Sequence, residues 1–175
     1  MPVKNSYPEK QMLKFSVSTI PKEQVILTLK SLTAIKEVKC AAYVIMRNET
    51  GNFKSVIGGT NPSGTQSDSG RWGSIWDKFI VGTCVKNENM TGKERGFVVF
   101  DTLTNGINFL IDRVEAKGLF IGEHVNTRYF KGDVKTVQDL AVAYWQEWVV
   151  GEITKPNETF VEDFESMYKQ AEAIF

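Results

Sequence analysis

The pattern of apolar and polar positions predicts its clearest helix over residues 35–51, IKEVKCAAYVIMRNETG. At about 100° per residue, its apolar side chains lie within roughly 40° of one line along the helix. One acidic residue falls on the same line, and the stripe comprises Ile35, Val38, Ala42, Ile45 and Glu49. A surface helix normally keeps its acids on the face opposite its apolar residues. The pattern therefore singles out Glu49.

Two interpretations of Glu49 are open. If the stripe packs inward, the Glu49 carboxyl lies at the edge of the core, where desolvation raises its pKa and keeps it protonated near neutrality. A general acid requires that protonation state. Alternatively, Glu49 belongs to a fraying last turn beside Gly51, and its side chain bends into solvent. The helical pattern alone does not choose between them.

Similar apolar spacing predicts further helices on both sides of this one. Each begins at a capping residue or a first-turn proline. These residues are Ser18 or Thr19 with Pro21, Thr104, Thr136 with Asp139, and Asn157. Gly118 ends the third helix. Residues 119–135 between the third and fourth helices are predicted to form a loop.

The segment between the second and third helices has a different character. Residues 51–74 are rich in Gly, Ser, Thr and Asn, but scattered apolar residues favour a docked loop over a linker. Residues 75–85 are either helix or strand, with helix favoured for the first half, and residues 96–101, GFVVFD, form the clearest strand. We predict a mainly α (α+β) fold, with residues 1–17 as an N-terminal tail and residues 18–175 as one domain.

The composition mainly excludes classes of partner and of active site. The 175 residues are enough for one ordinary domain, and 21 basic against 21 acidic side chains predict neither nucleic acid nor an anionic membrane as a partner. Cys40 and Cys84 lack metal-site spacing and are predicted to be buried free thiols. The single histidine, His124, has no second histidine or cysteine beside it. No zinc site, His-dependent triad or cofactor is expected.

The sequence shows neither a predicted secretory leader nor a predicted membrane span. The N-terminal segment MPVKNSYPEK is polar and contains two prolines. No apolar run approaches the roughly 20 residues that cross a bilayer. We therefore expect synthesis in the cytoplasm without membrane insertion, so that a role outside it requires another delivery route.

Several segments resemble the lysozyme-like superfamily, which includes lytic transglycosylases, goose-type lysozymes and bacterial glucosaminidases. Residues 41–53, AAYVIMRNETGNF, resemble the helix followed by E-[ST]-[GH] that carries the catalytic glutamate of this family. Residues 61–73, NPSGTQSDSGRWG, are similar to the loop that lines its sugar cleft. Downstream segments look like those of phage lysozyme-like virion proteins; they are FVVFDTLTNG (97–106), KTVQDLAVAYWQEW (135–148) and KPNET (155–159).

The resemblance implies a lysozyme-like helical domain with a small β-hairpin or short sheet between the second and third helices. It also implies glycoside cleavage, which needs a proton for the leaving oxygen and stabilisation of an oxocarbenium-like centre. Glu49 would supply the proton. Asp68 is the best-placed second carboxylate, with Asp77 and Asp101 as alternatives, although Asp68 between serines is also an ordinary turn residue. Without a second carboxylate, a transglycosylase route would use the substrate's acetamido group.

Other residues are candidates for sugar binding. Trp72 and Trp76 flank the polar loop and could stack on sugar faces, whereas Asn61 and Gln66 could hydrogen-bond N-acetyl groups. Tyr129, in its own loop, is a further candidate. Core packing is the alternative for each tryptophan, and it is the favoured prediction for Trp145 and Trp148, which lie three residues apart on a patterned helix.

These observations lead to one favoured function and two alternatives. The favoured hypothesis is a bacteriolytic enzyme that cleaves peptidoglycan glycan strands as a muramidase, lytic transglycosylase or glucosaminidase. It would be carried by a bacteriophage or exported without a signal peptide, with virion or secretion-system proteins as possible partners. The first alternative is a non-catalytic glycan-binding or structural virion protein of the same fold. The second is a small interaction protein without any glycan role.

Overall fold

The computed structural model describes residues 7, 9–68, 74–89 and 91–175, and it combines helices with short strands. This confirms a mixed α+β class. In chain order the elements are β1 (Gln11–Met12), β2 (Val17–Ser18), α1 (Lys22–Ser31), α2 (Lys36–Thr50), β3 (Val56–Ile57), a 3₁₀ helix (Ser74–Phe79), β4 (Ile80–Asn87), β5 (Glu94–Phe100), α3 (Leu103–Lys117), β6 (His124–Asn126), β7 (Lys131–Asp133), α4 (Val137–Tyr144), a π-helical turn (Trp145–Val150) and α5 (Glu158–Ile174).

The chain divides into two compact units. The first unit comprises the described parts of Met1–Thr28 and Met46–Phe109, and the second comprises Leu29–Ile45 and Leu110–Phe175. Because compact units can lie within a single domain, this division does not test the prediction of one domain over residues 18–175. None of the helices in the described part of the chain is long and apolar enough to cross a membrane.

The first unit contains the predicted hairpin between the second and third helices. Strand β4 pairs antiparallel with β5, and the two residues of β1 pair parallel with β4, so the sheet order is β1-β4-β5. Its apolar cluster is Tyr7, Ile80, Val98, Phe100 and Phe109, with Trp76 and Phe79 packed against it. The Trp76 ring centroid lies 5.2 Å from that of Phe109. Trp76 therefore packs on the core, and the structure does not support sugar stacking there.

The predicted tail contributes to this unit. Besides β1, residues Val17 and Ser18 form β2, which pairs antiparallel with Ile57 and Val56 of β3. Both β1 and β2 are exposed. Two-residue strands carry no alternation of apolar residues, so they could not be distinguished from an extended tail in the sequence.

Helix α2 confirms the predicted helix and widens its buried surface. Val38, Ala42 and Ile45 are buried as expected, but so is every residue from Cys40 to Met46. Ile35 precedes the first helical residue and is 55% exposed. Three consecutive left-handed residues follow the end of the helix: Gly51, Asn52 and Phe53, with φ of 56°, 59° and 66°.

Helices α4 and α5 dominate the second unit, and their caps are those predicted. The Thr136 side chain accepts from the backbone N–H of Asp139, and Asp139 accepts from that of Thr136, at 3.1 and 2.9 Å. The Asn157 side chain accepts from the N–H of Phe160 at 2.8 Å. Trp145 is half-buried against Phe160, with ring centroids 5.0 Å apart. The β6–β7 hairpin, in contrast, lies where only a loop was predicted.

Gly106 marks a close approach between α3 and the loop after β3. A Cβ at Gly106 would lie 1.9 Å from the carbonyl oxygen of Thr60. Real side chains do not tolerate that distance, and the obstructing atom belongs to backbone. The first turns of α3 therefore have no room for any residue larger than glycine at this position.

We expect Gly106→Ala to lower the free energy of unfolding by about 3 kcal/mol, because the loop at Thr60 must move to admit the methyl group. Denaturant titration would measure the change. Thr104 was predicted to begin this helix, but α3 begins at Leu103 and the Asn105 N–H donates to Thr102 Oγ1. Thr104→Ala, at an exposed position of the same helical turn, is therefore the control and should stay within about 0.5 kcal/mol of wild type. Equal effects of the two substitutions would show that the close approach at Gly106 is not a constraint.

Candidate functional site

Glu49 lies in the last turn of α2, and its side chain is exposed. Burial decreases along this turn: Met46 is buried, Arg47 and Asn48 are half-buried, and Glu49 is exposed. The helix ends one residue later, so no further turn covers the carboxyl group. Glu49 as a whole is exposed, which does not support the expectation of a carboxyl desolvated by the apolar stripe, and its role as a general acid stays a prediction.

The loop predicted to line a cleft does adjoin this carboxylate. Gly64, in a left-handed conformation with φ of 62°, lies beside Glu49: a Cβ on Gly64 would be 3.4 Å from Glu49 Oε2. Both residues belong to the first unit. Gly64 thus lies beside the Glu49 carboxylate, and it belongs to residues 61–68, called the 61–68 segment below.

Asn61 holds the 61–68 segment in place. Its Nδ2 donates to the carbonyl oxygens of Thr65 and Val98, both at 3.0 Å. Its Oδ1 accepts from the backbone N–H of Thr65, also at 3.0 Å. The residue is only 1% exposed. Its donors and its acceptor are thus used within the protein, so Asn61 is a scaffold residue and is not part of the candidate site.

The end of the 61–68 segment runs beside β5 and carries Gln66 and Asp68. Ser67 N–H donates to the carbonyl oxygen of Gly96 at 2.8 Å, and Val98 N–H donates to that of Thr65 at 3.1 Å. These hydrogen bonds fix the direction of the segment next to strand β5. They explain why Gln66 and Asp68 lie beside a side chain of that strand.

That side chain is Arg95, which joins four residues in one polar network. Its Nη2 donates to Gln66 Oε1 at 2.5 Å, and its Nε lies 3.5 Å from both Asp68 Oδ2 and Glu88 Oε1. The Asp68 side chain is 12% exposed. Its Oδ1 is buried and has no hydrogen-bond partner among the described residues. Asp68 is therefore an ordered, paired carboxylate, although not one placed against Glu49 by any contact described above.

The remaining candidates are in other places. Asp77 is half-buried in the 3₁₀ helix, and Asp101 is exposed and accepts from Asn105 at 2.8 Å at the start of α3. Trp72 lies outside the residues that the structure describes. Tyr129 is half-buried in the second unit, where its ring lies 5.3 Å from the Arg128 guanidinium carbon.

The Tyr129 loop depends on a carboxylate that the sequence analysis missed. Glu147 Oε1 accepts from the Tyr129 and Phe130 N–H groups at 2.6 and 2.8 Å and from the Thr127 hydroxyl. Its side chain is 3% exposed, and Lys117 Nζ lies 3.9 Å from Oε2. The available signal was an acid between two tryptophans, WQEW, both of which were predicted to pack in the core.

The environment of Glu147 determines its protonation. Burial alone raises the pKa of this carboxyl, but the hydrogen bonds from Thr127, Phe130 and Tyr129, together with Lys117, outweigh burial. The pKa of Glu147 therefore lies below its usual value, and the group is a structural anion at neutral pH.

The cysteines and the histidine provide no reactive centre. Cys40 and Cys84 are buried free thiols, as predicted, and burial raises the pKa of Cys40 to about 11. A thiol that stays protonated is a poor nucleophile. His124 Nδ1 lies 2.6 Å from Asp133 Oδ1 across the exposed β6–β7 hairpin. Across the described ranges, no three His, Cys, Asp or Glu residues cluster as a metal site would require.

Comparison with known proteins gives no relative. No family model matches the chain, and neither the curated proteins nor the solved structures give a match.

Glu147 should make stability depend on pH. Because its folded-state pKa is depressed, its contribution is complete above the unfolded value near about 4.3 and is lost as pH falls through the folded value. We expect Glu147→Gln to cost about 1–3 kcal/mol at pH 7 and to flatten the loss of stability below about pH 4.3.

Thermal or urea unfolding from pH 7 to pH 3 measures this dependence. Glu152→Gln, at an exposed glutamate close to the same π-helical turn, is the matched control and should follow the wild-type curve. A Glu147→Gln curve parallel to wild type across that range would contradict the assigned role of Glu147.

Proposed function

We propose that this chain cleaves the glycan strands of peptidoglycan, with Glu49 as the general acid and base. The proposed reaction class is that of a muramidase, lytic transglycosylase or glucosaminidase on a lysozyme-like domain. Because peptidoglycan lies outside the cytoplasm, we also propose delivery by a phage particle, by lysis or by a secretion route.

The observation that carries the proposal is the proximity of the Glu49 carboxylate to Gly64, where an added Cβ would lie 3.4 Å from Oε2. Residues 41–53 resemble the family segment that bears the catalytic glutamate, and residues 61–73 resemble the loop beside its sugar cleft. Nothing in the sequence spacing requires these two segments to meet. The Glu49 carboxylate nevertheless lies against Gly64, within the segment that resembles the cleft loop. Their proximity supports reading them as two parts of one site.

An exposed Glu49 is compatible with acid catalysis if the substrate completes its environment. A glycan laid over the carboxyl group and the 61–68 segment excludes water from it, and this desolvation favours the protonated form. The protonated Glu49 then donates to the glycosidic oxygen as the bond to the anomeric carbon breaks. The absence of a Cβ at Gly64 leaves room beside the carboxylate for the substrate.

Two routes complete the reaction. In one, the Asp68 carboxylate activates water or stabilises the oxocarbenium-like centre. In the other, the acetamido oxygen of the substrate bonds to the anomeric carbon as the leaving group departs, and a hydroxyl of the same sugar then displaces that oxygen while the deprotonated Glu49 takes the hydroxyl proton, which gives an anhydro product. The ion pair of Asp68 with Arg95 supports an ordered position for Asp68 but also engages part of its charge.

The alternative is a glycan-binding or structural virion protein that retains the fold without turnover. Two observations favour it: Glu49 is exposed, and Asp68 is paired with Arg95. In this alternative the site binds a glycan, and removal of the Glu49 proton donor has no effect on binding.

Glu49→Gln tests the proposal because it removes the ionisable proton and keeps the shape of the side chain. We expect the rate at which dye-labelled sacculi are solubilised to fall by at least about a hundredfold, the lower range for loss of a general acid. Glu94→Gln, an exposed acid of the same unit, is the control and should act at the wild-type rate. Unchanged solubilisation by Glu49→Gln would refute the catalytic assignment, whereas binding without solubilisation by wild type would favour the alternative.

Asp68→Asn separates the two routes. The amide retains a hydrogen-bond acceptor for Arg95 but cannot activate water, so we expect turnover to fall at least about tenfold if Asp68 is the second carboxylate. The same solubilisation assay measures the change. Wild-type turnover in this variant, with anhydro products, would exclude Asp68 and leave the route through Glu49 alone.

A further inference from the structure

A depression lies at the turn end of the β4–β5 hairpin. Its volume is about 250 Å³. The last strand pair before the turn is Asn87 with Glu94, so the depression occupies the end of the hairpin beyond which the chain reverses. The lining residues are Lys86, Asn87, Glu88, Asn89, Arg95 and Phe97.

The size of this depression indicates what fits in it. Pockets for whole small molecules commonly span about 300–1,000 Å³. At about 250 Å³, this depression suits a single ring or side group of a longer ligand that extends beyond it. It is therefore better suited to one unit of a chain than to a complete cofactor.

The lining favours a hydroxyl-rich and amide-bearing ligand. Asn87 and Asn89 are exposed, and an amide side chain both donates and accepts hydrogen bonds, as sugar hydroxyls and acetamido groups do. Phe97 is half-buried and adds an aromatic surface on which the C–H face of a pyranose can pack. Lys86 adds an exposed donor at the rim.

The charges around the depression are balanced. Lys86 and Arg95 are cationic, whereas Glu88 and, behind the lining, Asp68 each lie 3.5 Å from Arg95 Nε. Two carboxylates thus offset the two cations. A polyanion such as nucleic acid would need an excess of positive charge, so the lining favours a neutral ligand.

Arg95 connects this depression to the candidate active site. The same guanidinium that lines the depression donates to Gln66 and pairs with Asp68. Gln66 and Asp68 belong to the 61–68 segment, whose Gly64 adjoins Glu49. A ligand in the depression would therefore contact a residue, Arg95, that also contacts the 61–68 segment, and all of these residues belong to the first unit.

We propose that the depression lined by Lys86, Asn87, Asn89 and Phe97 is a binding subsite for one N-acetylated sugar ring of a glycan chain. The inference rests on the proposed function for its ligand class but not for any catalytic step. In this proposal the end of the hairpin binds a sugar ring that is remote from the bond that Glu49 would cleave.

The test uses a defined probe, the β-1,4-linked tetramer of N-acetylglucosamine, and the full chain with Glu49→Gln to prevent turnover. Titration followed by amide NMR shifts gives both the location and the dissociation constant. In this background, Asn87→Ala with Asn89→Ala should raise the dissociation constant by about tenfold, the loss expected from about two hydrogen bonds. Asn126→Ala, an exposed asparagine of β6, is the matched control and should leave it unchanged.

A second comparison guards against misfolding of the amide double variant. It sets Lys86→Ala against Lys93→Ala. Both lysines are exposed on the same hairpin, but only Lys86 lines the depression. Shifts at residues 86–89 and 95–97, with weaker binding in both lining variants, are the expected result. Shifts confined to the 61–68 segment, with unchanged affinity, would overturn the subsite and leave the proposed function intact. Absence of shifts anywhere in the spectrum would also overturn the subsite. The catalytic proposal would then be tested separately, by comparing sacculus solubilisation by the wild type and by Glu49→Gln.

Discussion

One buried amide, Asn61, shapes the 61–68 segment through two hydrogen bonds with Thr65 and joins it to strand β5 through a third, to the Val98 carbonyl, and the candidate site depends on that attachment. Without the amide, the Thr65 N–H and the carbonyl groups of Thr65 and Val98 would lose buried partners, each at a cost of about 1–3 kcal/mol. Because Asn61 fixes the start of the segment and Arg95 fixes its end, Gly64 comes to lie beside Glu49. Asn61, a sugar-binding candidate in the sequence analysis, thus has a structural role: it positions the segment that carries the proposed site.

Backbone conformation imposes the second constraint on the same region. Helix α2 ends at Thr50, and Gly51, Asn52 and Phe53 then adopt positive φ values, which cost about 1–3 kcal/mol for a residue such as phenylalanine. Phe53 is 2% exposed, and its N–H donates to Thr50 Oγ1 at 2.8 Å, so packing and a hydrogen bond compensate that cost. Strain of this kind persists where the surroundings determine it, and here it directly follows the turn that presents Glu49. In the last turn of α2 before this reversal, Glu49 is exposed whereas Thr50 is buried.

Features that depend on neighbouring residues could be predicted from the sequence, whereas features that depend on distant residues could not. The capping box of Thr136 and Asp139 and the cap at Asn157 are local, so their residue types were sufficient to predict them. The strands β1, β2, β6 and β7 are two or three residues long and exist because of partners elsewhere in the chain, which a local pattern does not reveal. Periodicity placed Glu49 on the apolar stripe of α2, but it could not show that the chain turns away at Gly51 and leaves the carboxyl exposed. The roles of Asn61 and Glu147 likewise depend on buried backbone groups that only the folded chain identifies.

The central claim is that the carboxyl group beside Gly64 breaks glycosidic bonds, and the chemistry of the products tests it most directly. Purified sacculi would be incubated with the wild-type chain, and the soluble fragments would be analysed by mass spectrometry. The account predicts glycan fragments with newly formed ends, either anhydro-muramic acid, reducing muramic acid or reducing glucosamine, and each has a distinct mass or fragmentation pattern. Recovery of intact glycan strands, with the protein bound to them or absent from them, would contradict it.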